Sequence, residues 1–199
     1  MSDKFLQAVI KRRSIYNLGN SLPMDNKVLT RLLEEAVKNA PSAFNSQSAR
    51  IVLLLGKNHQ HLWEITKTEL QKIVPAEKFK PTAEKIASFA QAYGTVLYFE
   101  DEDTVRELQN SFPAYKDNFP LWSLQSSGML QYIIWTLFAE HGIGASLQHY
   151  TPLIDEAVKT EWQLPAQWKL IAQMPFGNIE APAGEKSFLP LSERIKIFS

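Results

Sequence analysis

The sequence predicts an α+β fold, in which a few short strands are separated by helices and long loops. Three observations carry this. Ile51–Leu55, ahead of Gly56, and Thr95–Phe99, after Gly94, are short continuous apolar runs that read as buried strands. Trp168–Met174 alternates and runs into Pro175-Phe176-Gly177, which adds a third strand. Asn118–His141 is the longest helical candidate and is apolar on nearly every side, closed by Gly142.

The remaining elements follow in chain order. Phe5, Leu6, Val9 and Ile10 recur at helical spacing and give a short first helix ending near Arg12. Val28, Leu29, Leu32, Leu33, Ala36 and Val37 form an amphipathic stripe, capped by Asp25 and ended before Pro41. Residues from about His59 to Ile73 read as helical until Pro75, and Thr82–Tyr93 as helical until Gly94. Ala145–Leu147 fits a short strand and Leu153–Thr160 a helix. Pro182–Ser199 is polar and punctuated by Pro and Gly until Arg194-Ile-Lys-Ile-Phe198, which has the pattern of an edge strand. In a chain of this size, one face of the long helix is a candidate for burial by a second copy.

The 199 residues suffice for one domain spanning 1–199 with a substantial core. Basic and acidic residues number 21 each. That balance argues against a nucleic-acid partner and removes one barrier to self-association. With no cysteine, disulfides, zinc–thiolate sites and cysteine nucleophiles are excluded. The start, Met1–Phe5, has no signal-peptide run, and Met129–Ala139 is too short and too interrupted to span a bilayer. A soluble cytoplasmic protein with no membrane partner is the expectation.

Familiar catalytic motifs are missing. Gly142-Ile-Gly144-Ala-Ser-Leu147 begins like a dinucleotide fingerprint but has Leu147 at the third glycine and follows a helix. There is no phosphate-binding G-x-x-x-x-G-K loop and no G-x-S-x-G elbow. His59 and His61, two apart, face away from each other on a helix and read as surface residues rather than metal ligands. Glu100–Asp103 reads as acids at a helix start, where they complement the dipole.

Three polar clusters remain. Arg12, Arg13 and Ser14 close the first helix, either as a solvated basic turn or as a phosphate grip. Pro41-Ser-Ala-Phe-Asn-Ser-Gln47 is denser in hydroxyl and amide groups than a turn requires and could read the edge of a flat heterocycle. Gly142–Tyr150 combines glycines that permit close backbone approach with Gln148, His149 and Tyr150 beside an apolar wall. Together they point to a nucleotide-like cofactor.

In this order, the three clusters resemble the FMN-dependent nitroreductase superfamily over nearly the whole chain. Arg13-Ser-Ile-Tyr-x-Leu18, Trp122 ahead of Ser126-Ser-Gly-Met129, Leu147-Gln-His-Tyr150 and Ala172-Gln-Met-Pro-Phe-Gly177 resemble its small Frm2/CinD-like branch in fungi and bacteria. The resemblance implies a mainly antiparallel central sheet surrounded by helices, with the long buried helix at a homodimer interface. It implies that Arg12 and Ser14 hold the phosphate and ribityl chain of a tightly bound FMN, with Arg13 nearby. Pro41, Ser42, Asn45 and Gln47 would meet the isoalloxazine edge from the partner subunit. Leu147 and Gln148 would lie along the ring, a backbone N–H near flavin N5. Lys186 and Arg194 would close on the phosphate.

Many relatives carry Lys or Arg two residues after the serine, where this chain has Tyr16. Either Arg13 or another basic residue, Lys85 among them, would then face flavin N1/O2, or the flavin's redox potential differs. The implied activity is hydride transfer from NADH or NADPH, through the flavin, to nitroaromatic or quinone acceptors in a ping-pong cycle. No side chain acts as a catalytic nucleophile in it. Phe112, Tyr115, Phe119 and Trp122 fit an aromatic roof over the site, and fit core or dimer packing slightly better. Two other readings share these residues: a flavin-binding sensor with little turnover, and a cofactor-free dimeric interaction protein.

Overall fold

A computed structural model describes residues 3–198. One four-stranded sheet lies at the centre, in the order β1-β2-β4-β3 and antiparallel throughout. Its strands are β1 (Ala49–Leu55), β2 (Gly94–Asp101), β3 (Ile143–Ala145) and β4 (Trp168–Asn178). Around it stand α1 (Lys4–Lys11), α2 (Asn26–Asn39), α3 (Gly56–Gln71), α4 (Phe79–Ala90), α5 (Glu102–Ser111), α6 (Phe119–Glu140), α7 (Asp155–Glu161) and α8 (Leu191–Arg194).

Every residue of β2 is buried, as its continuous apolar sequence requires. On one sheet face, Val96, Tyr98, Ala172, Met174 and Phe176 pack against Leu29 and Leu33 of α2 and Leu130, Ile134 and Phe138 of α6. On the other, Leu97, Phe99 and Leu170 meet α3, α4 and α7 through Leu62, Trp63, Ile86, Phe89 and Val158. Among the described residues no helix is long and apolar enough to cross a membrane.

Local chemistry sets the helix boundaries. The Asp3 carboxylate caps α1 by accepting from the Phe5 and Leu6 N–H groups, and Asp25 caps α2 by accepting from Val28 N–H at 2.9 Å. Asp25→Ala is expected to cost about 1 kcal/mol, read as a lower urea midpoint. An unchanged midpoint would show that the cap adds nothing. At the far end of α6, Gly142 takes φ 72°, the left-handed turn that stops the helix.

The structure differs from the sequence expectations at several points. Alternation in Arg194–Phe198 does not make an edge strand: α8 ends at Arg194, and Ile195, Ile197 and Phe198 stay exposed with no strand beside them. The short strand is Ile143–Ala145 rather than Ala145–Leu147, and β4 continues through Pro175 to Asn178. His59 is not a surface residue. It is 1 % exposed and on the same face of α3 as Leu62, Trp63 and Thr66. Helix α6 is not buried all round: a stripe through Leu130, Ile134 and Phe138 enters the core, while Leu121, Leu124 and Met129 face outward.

Candidate functional site

The basic turn is built where α1 stops and the chain joins the sheet. Arg12 is the C-cap of α1, with extended backbone. Three residues on, Ile15 N–H donates to the Ala145 carbonyl at 2.9 Å, so Ser14 lies beside the end of β3. That carbonyl also accepts from Trp135 Nε1 of α6 at 3.1 Å. The Trp135 ring is thereby fixed, and the Arg12 guanidinium stacks on it at 4.4 Å from the centroid. Arg12 Nε is buried and has no hydrogen-bond partner. Such a donor costs free energy unless a ligand serves it.

Arg12, Arg13, Ser14 and Tyr16 line a cavity of about 450 Å³ whose far wall is Pro182–Lys186. Arg13 Nη2 donates to the Gly184 carbonyl at 2.6 Å and holds that wall in place. Lys186 lines the same cavity, with its ammonium 5.1 Å from the Phe188 ring centroid. Arg194, the last residue of α8, does not line this cavity. Lys85 lies over the Phe89 ring on α4 and lines neither this cavity nor those of the polar loop.

Between α2 and β1, the polar loop forms a second wall. Ser42 Oγ accepts from Gln47 N–H at 3.0 Å, and the Ser42 carbonyl accepts from Asn45 N–H at 3.0 Å. Phe44, Asn45 and Gln47 all have positive φ. Pro41, Ser42 and Phe44 share a cavity of about 450 Å³ with Trp122, Ser126 and Met129 of α6. Gln47 lines a neighbouring one of about 290 Å³ with Pro41, Ser42 and Ser126. Phe44 sits in an aromatic cluster, 4.8 Å from Phe112, 5.4 Å from Phe119, 6.1 Å from Tyr115 and 6.3 Å from Trp122. These rings therefore pack on one another and on the loop.

In the third cluster, Gln148 N–H donates to the Gln173 carbonyl at 2.7 Å and Gln173 N–H returns a bond at 2.9 Å. Of the Leu147–Gln148 pair, only the Leu147 N–H is left for a ligand among the described residues. Gln148 is buried, and its amide donates to Ser146 Oγ at 3.1 Å.

Sequence reasoning missed the residues behind these clusters. Trp135 fixes Arg12, and Arg50 at the start of β1 donates to Gln47 and Asp101. A charged residue opening an otherwise apolar strand was the signal for Arg50. Of the acids at the end of β2, Asp101 caps α5, as the helix-start reading has it, and Glu100 departs from that reading. Glu100 is 2 % exposed, and burial pushes its carboxyl up to about 7, against the opposing pull of the Ser48 hydroxyl bond. On α3, burial pulls the His59 imidazole down to about 4, while its Nδ1 bonds Thr95 Oγ1 at 2.9 Å. His61 is exposed, and Glu64 above all, with Glu161, raises its pKa.

Comparison with known proteins agrees with this architecture. A family model described as the Nitroreductase family matches residues 9–178. The nitroreductase FRM2 of Saccharomyces cerevisiae is 33 % identical over 187 residues, covering 93 % of each chain. The nitroreductase CinD from Lactococcus lactis, solved in complex with nicotinic acid, is 45 % identical. It superposes with a TM-score of 0.91, covering 98 % of this chain and 100 % of that one. The same protein has also been solved with chloramphenicol and with 4-nitrophenol. A protein from Desulfovibrio desulfuricans in complex with FMN shares the fold, with a TM-score of 0.71 at 20 % identity and full coverage of both chains. On the match over residues 9–178 and these identities, the chain belongs to the Nitroreductase family.

Proposed function

We propose that the chain is an FMN-dependent oxidoreductase whose flavin site is completed by a second copy of the chain. The observation that carries this reading is the buried, unserved Arg12 Nε beside a cavity lined by Arg13, Ser14 and Lys186. Guanidinium, hydroxyl and ammonium donors converging on one space fit a phosphate. The family and the FMN held by the D. desulfuricans protein support FMN as that nucleotide.

Each cluster has its own part. Arg12 and Ser14 hold the phosphate and ribityl end, Arg13 keeps the Pro182–Lys186 wall in place, and Lys186 closes on the same charge, whereas Arg194 lies outside this cavity. Ser42, Asn45 and Gln47 present hydroxyl and amide groups to the ring edge, with Pro41 beside them. Leu147 and Gln148 flank the ring, with the Leu147 N–H free to donate to it. When bound, FMN would supply hydride transfer from NADH or NADPH to a nitroaromatic or quinone acceptor. The protein's share is to position both partners and exclude water. Two of the compounds bound by the L. lactis relative, chloramphenicol and 4-nitrophenol, are nitroaromatic and support an acceptor of that class.

Geometry along α6 supports the homodimer. Arg12 stacks near Trp135, and Phe44 packs near Trp122, about 20 Å away along the axis at the α-helical rise. The two cavities share no lining residue. A two-fold pairing of α6 helices brings the Trp122 end of one copy toward the Trp135 end of the other. The outward Leu121, Leu124 and Met129 of α6 and the exposed Phe5, Leu6 and Ile10 of α1 supply the apolar area such a pairing covers.

The test is spectroscopic. Purified protein is expected to be yellow or to become so with FMN, and to bleach anaerobically on addition of NADH or NADPH. Protein that stays colourless after incubation with FMN would sink the reading.

A further inference from the structure

The loop Pro41–Gln47 holds an unusual shape. Phe44, Asn45 and Gln47 have φ of 56°, 52° and 49°, in the left-handed region that favours glycine. Ser46 N–H donates to the Ala43 carbonyl at 3.1 Å, and the bonds onto Ser42 close the loop on itself. None of these bonds ties it to the rest of the fold.

Arg50 supplies the tie. Its Nη1 donates to the Gln47 carbonyl at 2.6 Å and to the Ala49 carbonyl at 3.1 Å, and its Nη2 donates to Asp101 Oδ2 at 2.9 Å. Asp101 is itself fixed. Its N–H donates to the Ser48 carbonyl at 3.0 Å, and its Oδ1 accepts from Asp103 N–H at 3.1 Å where α5 begins. One residue back along β2, Glu100 Oε2 accepts from Ser48 Oγ at 2.6 Å. Two consecutive acids of β2 thus hold two consecutive residues at the end of the loop, one of them through Arg50.

A plain ion pair would account for the contact with Asp101 and nothing more. It does not account for the second arm of the guanidinium, which reaches Gln47, the last of the loop's three positive-φ residues. Serving a carbonyl and a carboxylate from one planar fork is something arginine does and lysine does not.

We propose that Arg50, aimed by Asp101, is the positioning residue that holds Pro41–Gln47 in the shape that meets the flavin ring. This rests on the flavin site proposed above. Arg50 acts through the loop, so its effect is read in the loop's order and in the flavin's spectrum.

The experiment uses Arg50→Lys, Arg50→Met and the double variant Arg50→Met/Asp101→Asn in the full chain, before and after FMN addition. The double variant covers the case in which Arg50→Met alone unfolds the protein by stranding Asp101. Amide hydrogen exchange across residues 41–48 is expected to speed up by about tenfold in all three, most clearly at Gln47. FMN affinity is expected to fall by about tenfold, the weight of a lost charged hydrogen bond. The visible bands of bound flavin should move toward those of free flavin, and Arg50→Lys should restore neither property. Unchanged exchange together with an unchanged flavin spectrum in Arg50→Met and the double variant overturns the proposal. If the wild-type chain takes up no FMN, the flavin reading falls. The exchange data then decide alone: acceleration sustains the clamp and normal exchange overturns it.

Discussion

Arg12→Ala is expected to weaken FMN retention by about 1.5–3 kcal/mol, roughly a tenfold to hundredfold loss of affinity. The guanidinium has been placed before any ligand arrives: it lies over the Trp135 ring, 4.4 Å from its centroid, and Trp135 Nε1 is spent on the Ala145 carbonyl. Little side-chain freedom is therefore left to lose on binding. The buried Nε has no bond to break first. A lysine at this position would keep the charge but lose both the flat stacking and the fork. Fluorescence titration with FMN and with riboflavin, which lacks the phosphate, separates the roles. Arg12→Ala should lower affinity for FMN and leave riboflavin nearly as in the wild type. Equal FMN affinities in wild type and variant would refute the phosphate role.

The second large effect is on stability, and it is concealed in the wild type. His59 is neutral when folded, with a pKa near 4 against an ordinary 6.5. Above pH 6.5 both states are neutral and its stability is fully present. As the pH falls from 6.5 to 4 the unfolded chain takes up a proton that the folded chain refuses, and about 1.4 kcal/mol is lost per unit. Glu100 runs the other way, with a folded pKa of about 7 against an ordinary 4.5. Its contribution is complete below pH 4.5 and is lost as the pH rises to 7, because the unfolded chain releases a proton the folded chain keeps. Between pH 4.5 and 6.5 the two slopes oppose and nearly cancel. His59→Asn should therefore become less stable as pH rises across this window, and Glu100→Gln more stable. Each should change by about 2–3 kcal/mol across it. Urea denaturation at pH 4.5, 5.5 and 6.5 reads the slopes whatever the offset each variant carries. Three parallel lines would show that neither group titrates abnormally.

What the sequence made legible was mostly local. Helix α2 announces itself because its cap, its apolar stripe and the proline beyond it lie within one short stretch. Strand β2 is equally plain, since a strand buried on both faces needs no alternation. His59 was readable too: Leu62, Trp63 and Thr66 stand three, four and seven residues on, the spacing of one helix face. Weighing it only against His61 hid that face. Arg194–Phe198 misleads in the opposite sense, because alternation marks a strand only when an edge is there to receive it. Arg50 with Asp101, and Arg12 with Trp135, were out of reach. They join positions far apart in sequence, and only the sheet register and the packing of α6 bring them together.

The sheet has a consequence for how the chain is made. No two of its neighbouring strands are joined by a tight turn: the chain runs from Leu55 to Gly94 between β1 and β2, and from Asp101 to Trp168 between β2 and β4. β2, which is buried along its whole length, acquires its second neighbour only when β4 has been synthesised. On the ribosome, the nascent chain must therefore carry Val96–Phe99 with one side unpaired through the translation of α5, α6 and α7. Pairing so distant in sequence is slow, and an open apolar strand is a template for other chains. Expression yield should consequently depend on translation speed and chaperone supply more steeply than the stability of the finished molecule would indicate.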